Sequence, residues 1–186
     1  MGLEAENKQG QGVSPEGERN WEVWRTVKAG GKSVQVLERE LEQEGFYFHK
    51  YARKMMSWQF FTLKAPEQIS LVRLKVSDLG FSKLPPTLDQ IYQKANDLGL
   101  DLCPPEVGPE LRLQYFRQPS GERLYIGMKQ IGLPDEELSS EPLPHVFVLE
   151  CDKYNHKNDG VKLIGLFLPT SLHMQLGDEF VFRLRK

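Results

Sequence analysis

The chain has 186 residues, of which 39% are hydrophobic and 27% are charged, and its formal net charge at pH 7 is −2. This length and composition are typical of one ordinary globular domain. The balanced charge argues against a dedicated nucleic-acid-binding protein, because such proteins usually carry a strongly basic surface.

The sequence favours a cytoplasmic protein. No stretch approaches the roughly 20 consecutive apolar residues that a membrane-spanning helix needs, so we expect no membrane contact. The first 20 residues lack the cationic start and the apolar stretch of a secretory signal. Cys103 and Cys151 are the two cysteines, so the chain can form at most one disulfide, and we expect both thiols to be reduced.

Residues 1–20 differ in composition from the rest of the chain. They are polar and rich in glycine, glutamate and glutamine, with too few apolar side chains to offset the entropy lost on ordering the backbone. They predict a disordered tail. The composition changes at Trp21, and we expect residues 21–186 to form a single domain.

The N-terminal half of this domain carries signals for helices and for two strands. Residues 21–27 alternate apolar with polar side chains, which predicts a first strand. Ser33 is placed to cap a helix over residues 34–44, which ends before a glycine. Residues 50–56 have the composition of a second helix, and residues 69–76 have that of a strand.

The clearest helix signal follows Pro85-Pro86. Thr87 and, three residues later, Gln90 form a capping-box pattern. Apolar residues then recur at helical spacing over residues 88–98, and Gly99 follows them. This pattern predicts a third helix.

From residue 110 onward the apolar pattern changes to a period of two, which is typical of strands. Residues 111–116 and 123–128 both alternate, and the turn-forming segment 118–121 between them predicts a hairpin. Further strands are predicted near residues 145–151, 162–168 and 179–184. We therefore expect an α+β fold in which a helix-containing N-terminal half packs with a C-terminal antiparallel β-meander.

One block of the sequence resembles a known family. Residues 98–109 read LGLDLCPPEVGP, residues 112–115 read RLQY, and residues 118–122 read QPSGE. This block resembles one in a family of short, uncharacterised bacterial proteins, and the similarity extends from about Trp21 to Arg185. The resemblance implies a bacterial cytoplasmic protein, and no catalytic residues come with it.

The polar face of the predicted hairpin is the leading candidate site. Strand alternation places guanidinium, amide and aromatic side chains together on it. Such groups suit recognition of an unknown protein partner or of a small anionic or planar ligand. The candidate partner-binding residues on or beside this face are Arg112, Gln114, Phe116, Gln118, Glu122, Arg123, Tyr125 and Glu106. The alternative interpretation is an ordinary solvated sheet face, with Gln118 and Glu122 as turn formers.

A second hypothesis is a small enzyme. In it, a carboxylate of Glu106 or Glu122 works beside Arg112, which acts as an anion clamp. Against it, the common catalytic motifs are missing, and no histidine lies near Cys103 in the sequence to activate its thiol. We therefore favour a protein that is not an enzyme, assign no catalytic residue and predict no cofactor.

No metal site is predicted. His145, Cys151, Asp152 and His156 have the chemistry of metal ligands, but they lack the closely paired spacing of structural zinc sites. A strand histidine followed by polar loop residues is expected by chance.

A third hypothesis is a nucleic-acid-binding accessory protein. Lys50, Arg53 and Lys54 form a small basic patch with Trp58 close behind, which is the composition of a phosphate-contacting surface with a stacking ring. A helix with its cations in water and its aromatic residues in the core explains the segment equally well. The leading hypothesis is therefore a non-enzymatic binding or interaction module.

Overall fold

The computed structural model of the protein describes residues 20–57, 63, 65–135, 139–152 and 160–186, without the side chains of residues 135 and 139–141. Within these residues it contains four α-helices and a one-turn 3-10 helix at Val76–Leu79. The α-helices are α1 (Val34–Gln43), α2 (Lys50–Ser57), α3 (Leu88–Asp97) and α4 (Val107–Gln114). Apart from Asn20, the predicted tail lies outside the described residues.

The strands of the described chain belong to one sheet. They are β1 (Arg25–Ala29), β2 (Tyr47–Phe48), β3 (Glu67–Lys75), β4 (Leu100–Asp101), β5 (Arg123–Ile126), β6 (Ile131–Asp135), β7 (Ser139–Cys151), β8 (Val161–Phe167) and β9 (Glu179–Leu184). The sheet order is β1-β3-β9-β5-β7-β8-β2, while β4 pairs with β9 and β6 pairs with β7. Helices and sheet together give an α+β fold, as predicted.

The two capped helices predicted from the sequence are confirmed. The Ser33 hydroxyl caps α1 by accepting a hydrogen bond from the Val36 N–H at 3.3 Å. At the start of α3, the side chains of Thr87 and Gln90 each accept a hydrogen bond from the other's backbone N–H. Because such caps satisfy backbone groups that a helix end leaves unpaired, both helices begin at the predicted residues.

The predicted strand at residues 111–116 is wrong, because this segment forms the end of helix α4 and the turn after it. Val107, Leu111 and Tyr115 are buried and recur every fourth residue, which places them on one side of the helix and its C-cap. α4 crosses the sheet so closely that a Cβ added to Gly108 would lie 2.5 Å from an aromatic ring of β7. This packing outweighs the period of two that the same apolar residues also satisfy.

The predicted antiparallel meander is also wrong. β5 pairs in parallel with β9, and β2 pairs in parallel with β8, so the sheet is mixed. β9 lies between β3 and β5 and thereby joins the N-terminal and C-terminal parts of the chain in one sheet. β1 begins at Arg25 rather than Trp21, β7 begins at Ser139, and β6 has no counterpart in the prediction. The strands predicted near 69–76, 162–168 and 179–184 are confirmed as β3, β8 and β9.

The hydrophobic core combines residues from both halves of the described chain. In the sheet, the Phe180 ring stacks on Tyr125 and on Phe182, with centroid distances of 5.2 Å and 5.8 Å. α2 packs against β8, where a Cβ on Gly165 would lie 2.7 Å from the backbone nitrogen of Ala52. Among the described helices, none combines the length and the apolar character that crossing a membrane requires.

Candidate functional site

The single polar face of the predicted hairpin is not formed. Arg112 and Gln114 lie on helix α4, whereas Arg123 and Tyr125 lie on strand β5. The Tyr125 side chain is buried against Phe180 instead of being presented to solvent. The eight predicted site residues therefore divide into four that stabilise the interior, one that closes a sheet edge, two that line a groove, and Phe116, which is exposed to solvent.

Arg112 is fully buried and holds the loop that follows α4. Its guanidinium donates to the side-chain oxygen of Gln118 at 2.5 Å and to the backbone carbonyl of Tyr115. Burial lowers the pKa of Arg112 to about 10, because the charged form has lost its hydration. An anion clamp needs an accessible guanidinium, so Arg112 does not serve as one in this conformation.

Gln118 extends this internal network to the sheet. Its side-chain nitrogen donates to the backbone carbonyls of Glu122 at 3.2 Å and Leu149 at 3.1 Å. The loop after α4 is thereby attached to β7 on one side and to Arg112 on the other. Phe116, at the start of this loop, is exposed to solvent over 59% of its surface.

Gln114 closes part of an edge of the sheet. β1 is the end strand next to β3, and such strands expose unpaired backbone groups. The Gln114 amide nitrogen donates to the Lys28 carbonyl at 3.1 Å, and the amide oxygen accepts from the Lys28 N–H at 3.4 Å. The side chain thus occupies the place that a neighbouring strand would take at this residue.

Glu106 lies at the N-terminal end of α4 and is 2% exposed. Its Oε1 accepts a hydrogen bond from the Leu63 N–H at 2.5 Å, so the carboxylate holds the chain ahead of β3. Its Oε2 is buried without a hydrogen-bond partner among the described residues. Because both Glu106 and Arg112 are enclosed, they are not presented together to a substrate from solvent.

Arg73, on β3, is the centre of an accessible cluster of charged residues. Its Nη1 lies 2.6 Å from Glu122 Oε1, and its Nε donates to Glu179 Oε2 at 2.8 Å. Glu122 also accepts a hydrogen bond from the Tyr115 hydroxyl at 2.9 Å. Burial alone lowers the pKa of Arg73, but the hydrogen bond to Glu179 and the charge of Glu122 raise it overall. The sheet order brings these groups together, because β9 separates β3 from β5 by one strand.

Trp24 forms one wall of this cluster. The Tyr115 ring meets it edge-on, with 5.2 Å between the ring centroids. The guanidinium carbons of Arg25 and Arg73 lie 5.2 Å and 5.6 Å from the Trp24 ring centroid. Since such cation–π contacts are attractive, the indole ring helps to fix the position of Arg73 relative to the loop after α4.

Two open cavities meet at Arg73 and Glu179, and together we name them the Arg73 groove. The cavity on the β5 side has a volume of about 440 Å³, and the cavity on the β1 side has a volume of about 350 Å³. The β5 side is lined by Arg73, Ser120, Gly121, Glu122, Arg123, Gly177, Asp178 and Glu179. The β1 side is lined by Glu22, Val23, Trp24, Arg73, Leu74, Lys75, Asp78 and Glu179.

The Arg73 groove carries more negative than positive side chains. Five carboxylates line it, against three cationic side chains. One of the cations, Arg123, donates to Glu150 on β7 at 2.5 Å. Within the described part of the chain, neither Asp178 nor Glu22 forms an ion pair. The groove is therefore suited to a positively charged group.

Sequence reasoning found Glu122 and Arg123 but missed the other charged residues of the groove. Arg73 lies in the middle of a largely apolar strand, and its partner Glu179 is 106 residues away. No local pattern brings such residues together. The available hint is an arginine inside a strand otherwise rich in leucine, valine and isoleucine.

The basic patch predicted on α2 is interrupted by acidic neighbours. Arg53 lies 3.1 Å and 3.5 Å from the carboxylates of two glutamates on α1. The Nζ atoms of Lys50 and Lys54 lie 4.9 Å and 5.6 Å from the Tyr51 ring centroid. Trp58, which completes the predicted patch, lies outside the described residues. The patch therefore offers two cations rather than three.

The described residues offer neither a reactive thiol at Cys103 nor a cluster of metal ligands. Burial raises the pKa of the Cys103 thiol well above its usual range, which disfavours thiolate chemistry at this residue. Among the residues that the structure describes, no group of three or more histidine, cysteine, aspartate and glutamate side chains is arranged to hold a metal ion. His156, considered above as a ligand, lies outside these residues.

Comparisons with protein-family models, with curated proteins and with solved structures found no match to this chain. The resemblance to a bacterial family, from about Trp21 to Arg185 and most specific in residues 98–122, therefore stays a prediction.

Proposed function

We propose that the protein is a non-enzymatic binding module that holds a positively charged segment of a partner protein in the Arg73 groove. The observation that carries this proposal is the excess of carboxylates in an open groove whose central arginine is already paired with two of them. A cationic side chain that enters the groove meets Asp178 and Glu22, which have no ion-pair partner within the described chain. The charge of such a side chain is therefore complementary to that of the groove.

The shape and lining of the groove support a polar partner. Small-molecule sites are usually enclosed and mostly apolar, whereas this groove is open and lined largely by charged side chains. Its floor is fixed before binding, because Tyr115 donates to Glu122 and Gln118 holds the Glu122 backbone. A pre-organised floor loses less conformational entropy when a partner arrives.

The charge distribution argues against nucleic acid and against a small anion at this groove. A phosphate group would face five carboxylates, and like charges in contact lower affinity. The alternative surface on α2 has Arg53 paired to glutamates of α1. Nucleic-acid binding usually recruits more phosphate contacts than the remaining Lys50 and Lys54 can supply.

The proposal is tested by calorimetric titration of the full chain with a capped hexapeptide that alternates lysine and valine. We expect binding that weakens as salt is added, because exposed charges attract each other less when screened. The variant Asp178→Asn removes one groove charge and keeps an oxygen for the Gln175 N–H, which Asp178 accepts at 2.8 Å. Its affinity for the peptide should fall about threefold, as expected for a partly exposed ion pair.

The matched control is Asp97→Asn, which removes an exposed charge on α3, a helix that contributes no residue to the lining of the groove. It should bind the peptide as the unmodified protein does. Absence of binding to the unmodified protein would reject the proposal. Equal affinities of the Asp178→Asn and Asp97→Asn variants, or tighter binding of a hexapeptide that alternates glutamate and valine, would reject it as well.

A further inference from the structure

The β1 side of the Arg73 groove has a free strand edge as one of its walls. β3 pairs with β1 from Glu67 to Leu71, whereas its pairing with β9 continues to Lys75. Beyond Leu71, β3 therefore has no strand partner on the β1 side within the described chain. The residues of β3 that line the cavity, Arg73, Leu74 and Lys75, belong to this unpaired stretch.

Alternation along β3 determines which backbone groups this edge presents. The Leu71 carbonyl points toward β1, because it accepts a hydrogen bond from the Trp24 N–H at 2.9 Å. Backbone groups of alternate residues in an antiparallel strand point to the same side, so the N–H and C=O of Arg73 also point away from β9. The Lys75 N–H follows the same alternation and donates to Asp78 Oδ2 at 2.7 Å. The Arg73 backbone is thus directed into the groove.

Residues 20–24, which precede β1 in the described chain, do not pair with this edge beyond Leu71. Glu22 and Val23 line the same cavity, whose open volume is about 350 Å³. In the part of the chain that the structure describes, no backbone hydrogen bond joins them to Arg73. The cavity therefore combines unpaired backbone on one wall with acidic side chains around it.

We propose that a partner peptide binds here by strand addition, in which an extended segment containing lysine or arginine pairs with the Arg73 backbone and extends the sheet past the end of β1. This inference rests on the proposed function and states how the cationic segment is held. In strand addition, main-chain hydrogen bonds supply affinity and alternate side chains supply specificity. Every second side chain of the added strand points to the face that carries the Arg73 side chain, where Glu122 and Glu179 lie.

The N-terminal residues of this chain are poorly matched to the groove. Residues 1–19 contain four glutamates but one lysine and one arginine. Their net negative charge has the same sign as the carboxylate excess of the groove. A basic segment of another protein has the complementary charge, so it is the occupant that we infer.

The test compares the lysine–valine hexapeptide with two trimethylated derivatives, which are isomers of each other. One is methylated on the backbone nitrogens of the three lysines, and the other on those of the three valines. Methylation removes N–H donors and leaves the charge unchanged. In an added strand one of these two sets of N–H groups faces β3, so one isomer should lose about tenfold in affinity and the other should retain most of it. With the parent peptide bound to the full chain, the Arg73 amide should exchange more slowly with deuterated solvent.

The outcomes separate the two proposals. If both isomers bind as tightly as the parent, or if Arg73 exchange is unchanged, strand addition is overturned. Even then, the groove remains the proposed binding site if Asp178→Asn weakens binding of the peptide and Asp97→Asn does not. If instead the two variants bind alike, the groove itself is rejected, whatever the isomers do.

Discussion

At the scale of single residues, Arg112 carries its charge inside the protein without an ion pair among the described residues. Neutral acceptors take the place of a counter-ion: the Gln118 side-chain oxygen and the Tyr115 carbonyl. The Phe46 ring adds a cation–π contact, with the guanidinium carbon 5.0 Å from its centroid. A buried charge is tolerated when most of its donors are used, and here Nη1 and Nη2 fix the loop that carries Glu122, while Nε is buried without a hydrogen-bond partner among the described residues.

We expect Arg112→Ala to lower the free energy of unfolding by about 3 kcal/mol or more, because it leaves two buried acceptors without donors and opens a cavity. Urea denaturation measures this difference. The matched control is Arg117→Ala, an exposed arginine in the same loop, which should change the free energy by no more than about 0.5 kcal/mol. Similar losses in the two variants would mean that Arg112 does not stabilise the loop as described.

The sequence identified residues of this network but not their orientation. The period of two over residues 111–116 predicts that Arg112 faces a partner, and the turn that follows places Gln118 beside the same face. In the helix that forms instead, Arg112 turns inward toward the loop. Residue type shows which groups can form hydrogen bonds, but the predicted strand assigns Arg112 to a surface where the structure does not place it.

At the scale of elements, α4 depends on a close approach to the sheet. A Cβ added to Gly108 would lie 2.5 Å from the Phe147 ring and 2.8 Å from the Phe147 Cβ. Real Cβ atoms do not tolerate such distances, so the helix or the strand must move when a side chain is added. Gly108 thus sets the depth at which α4 packs on β7.

Gly108→Ala should therefore lower the free energy of unfolding by about 1–2 kcal/mol, although alanine favours a helix more than glycine does. Thermal or urea denaturation measures the change. Gly177→Ala is the matched control, because nothing lies within 4 Å of a Cβ added there. It should be within about 0.5 kcal/mol of the unmodified protein. If Gly108→Ala is as stable as this control, the close crossing is incorrect.

Local signals explain which helices were predictable. α1 and α3 begin at Ser33 and Thr87, whose side chains cap them, and such caps can be recognised from a few neighbouring residues. α4 has no side-chain cap at Glu106 and contains Pro109 in its first turns. The sequence shows the spacing by four of Val107, Leu111 and Tyr115. However, residues 111–116 also fit a period of two, which favours a strand.

At the scale of the whole molecule, the position of β9 creates the candidate site. The last strand of the chain inserts between β3 and β5, so residues from distant parts of the sequence meet at its N-terminal end. The Arg73–Glu179 contact spans 106 residues, and the Arg73–Glu122 contact joins β3 to the residue that precedes β5. Strand order is set by the global packing of the sheet, and local periodicity carries no information about it. The groove therefore could not be predicted from the sequence, whereas the α+β fold class could.

The central claim is that the Arg73 groove is the surface that meets a cationic partner. The most direct measurement is a nuclear magnetic resonance titration of the isotopically labelled full chain with the lysine–valine hexapeptide. We predict that the largest amide shift changes fall on Trp24, Arg73, Lys75 and Asp178, while the amides of α2 are unaffected. Changes concentrated on α2, or spread evenly over the protein without a maximum at the groove, would contradict the account.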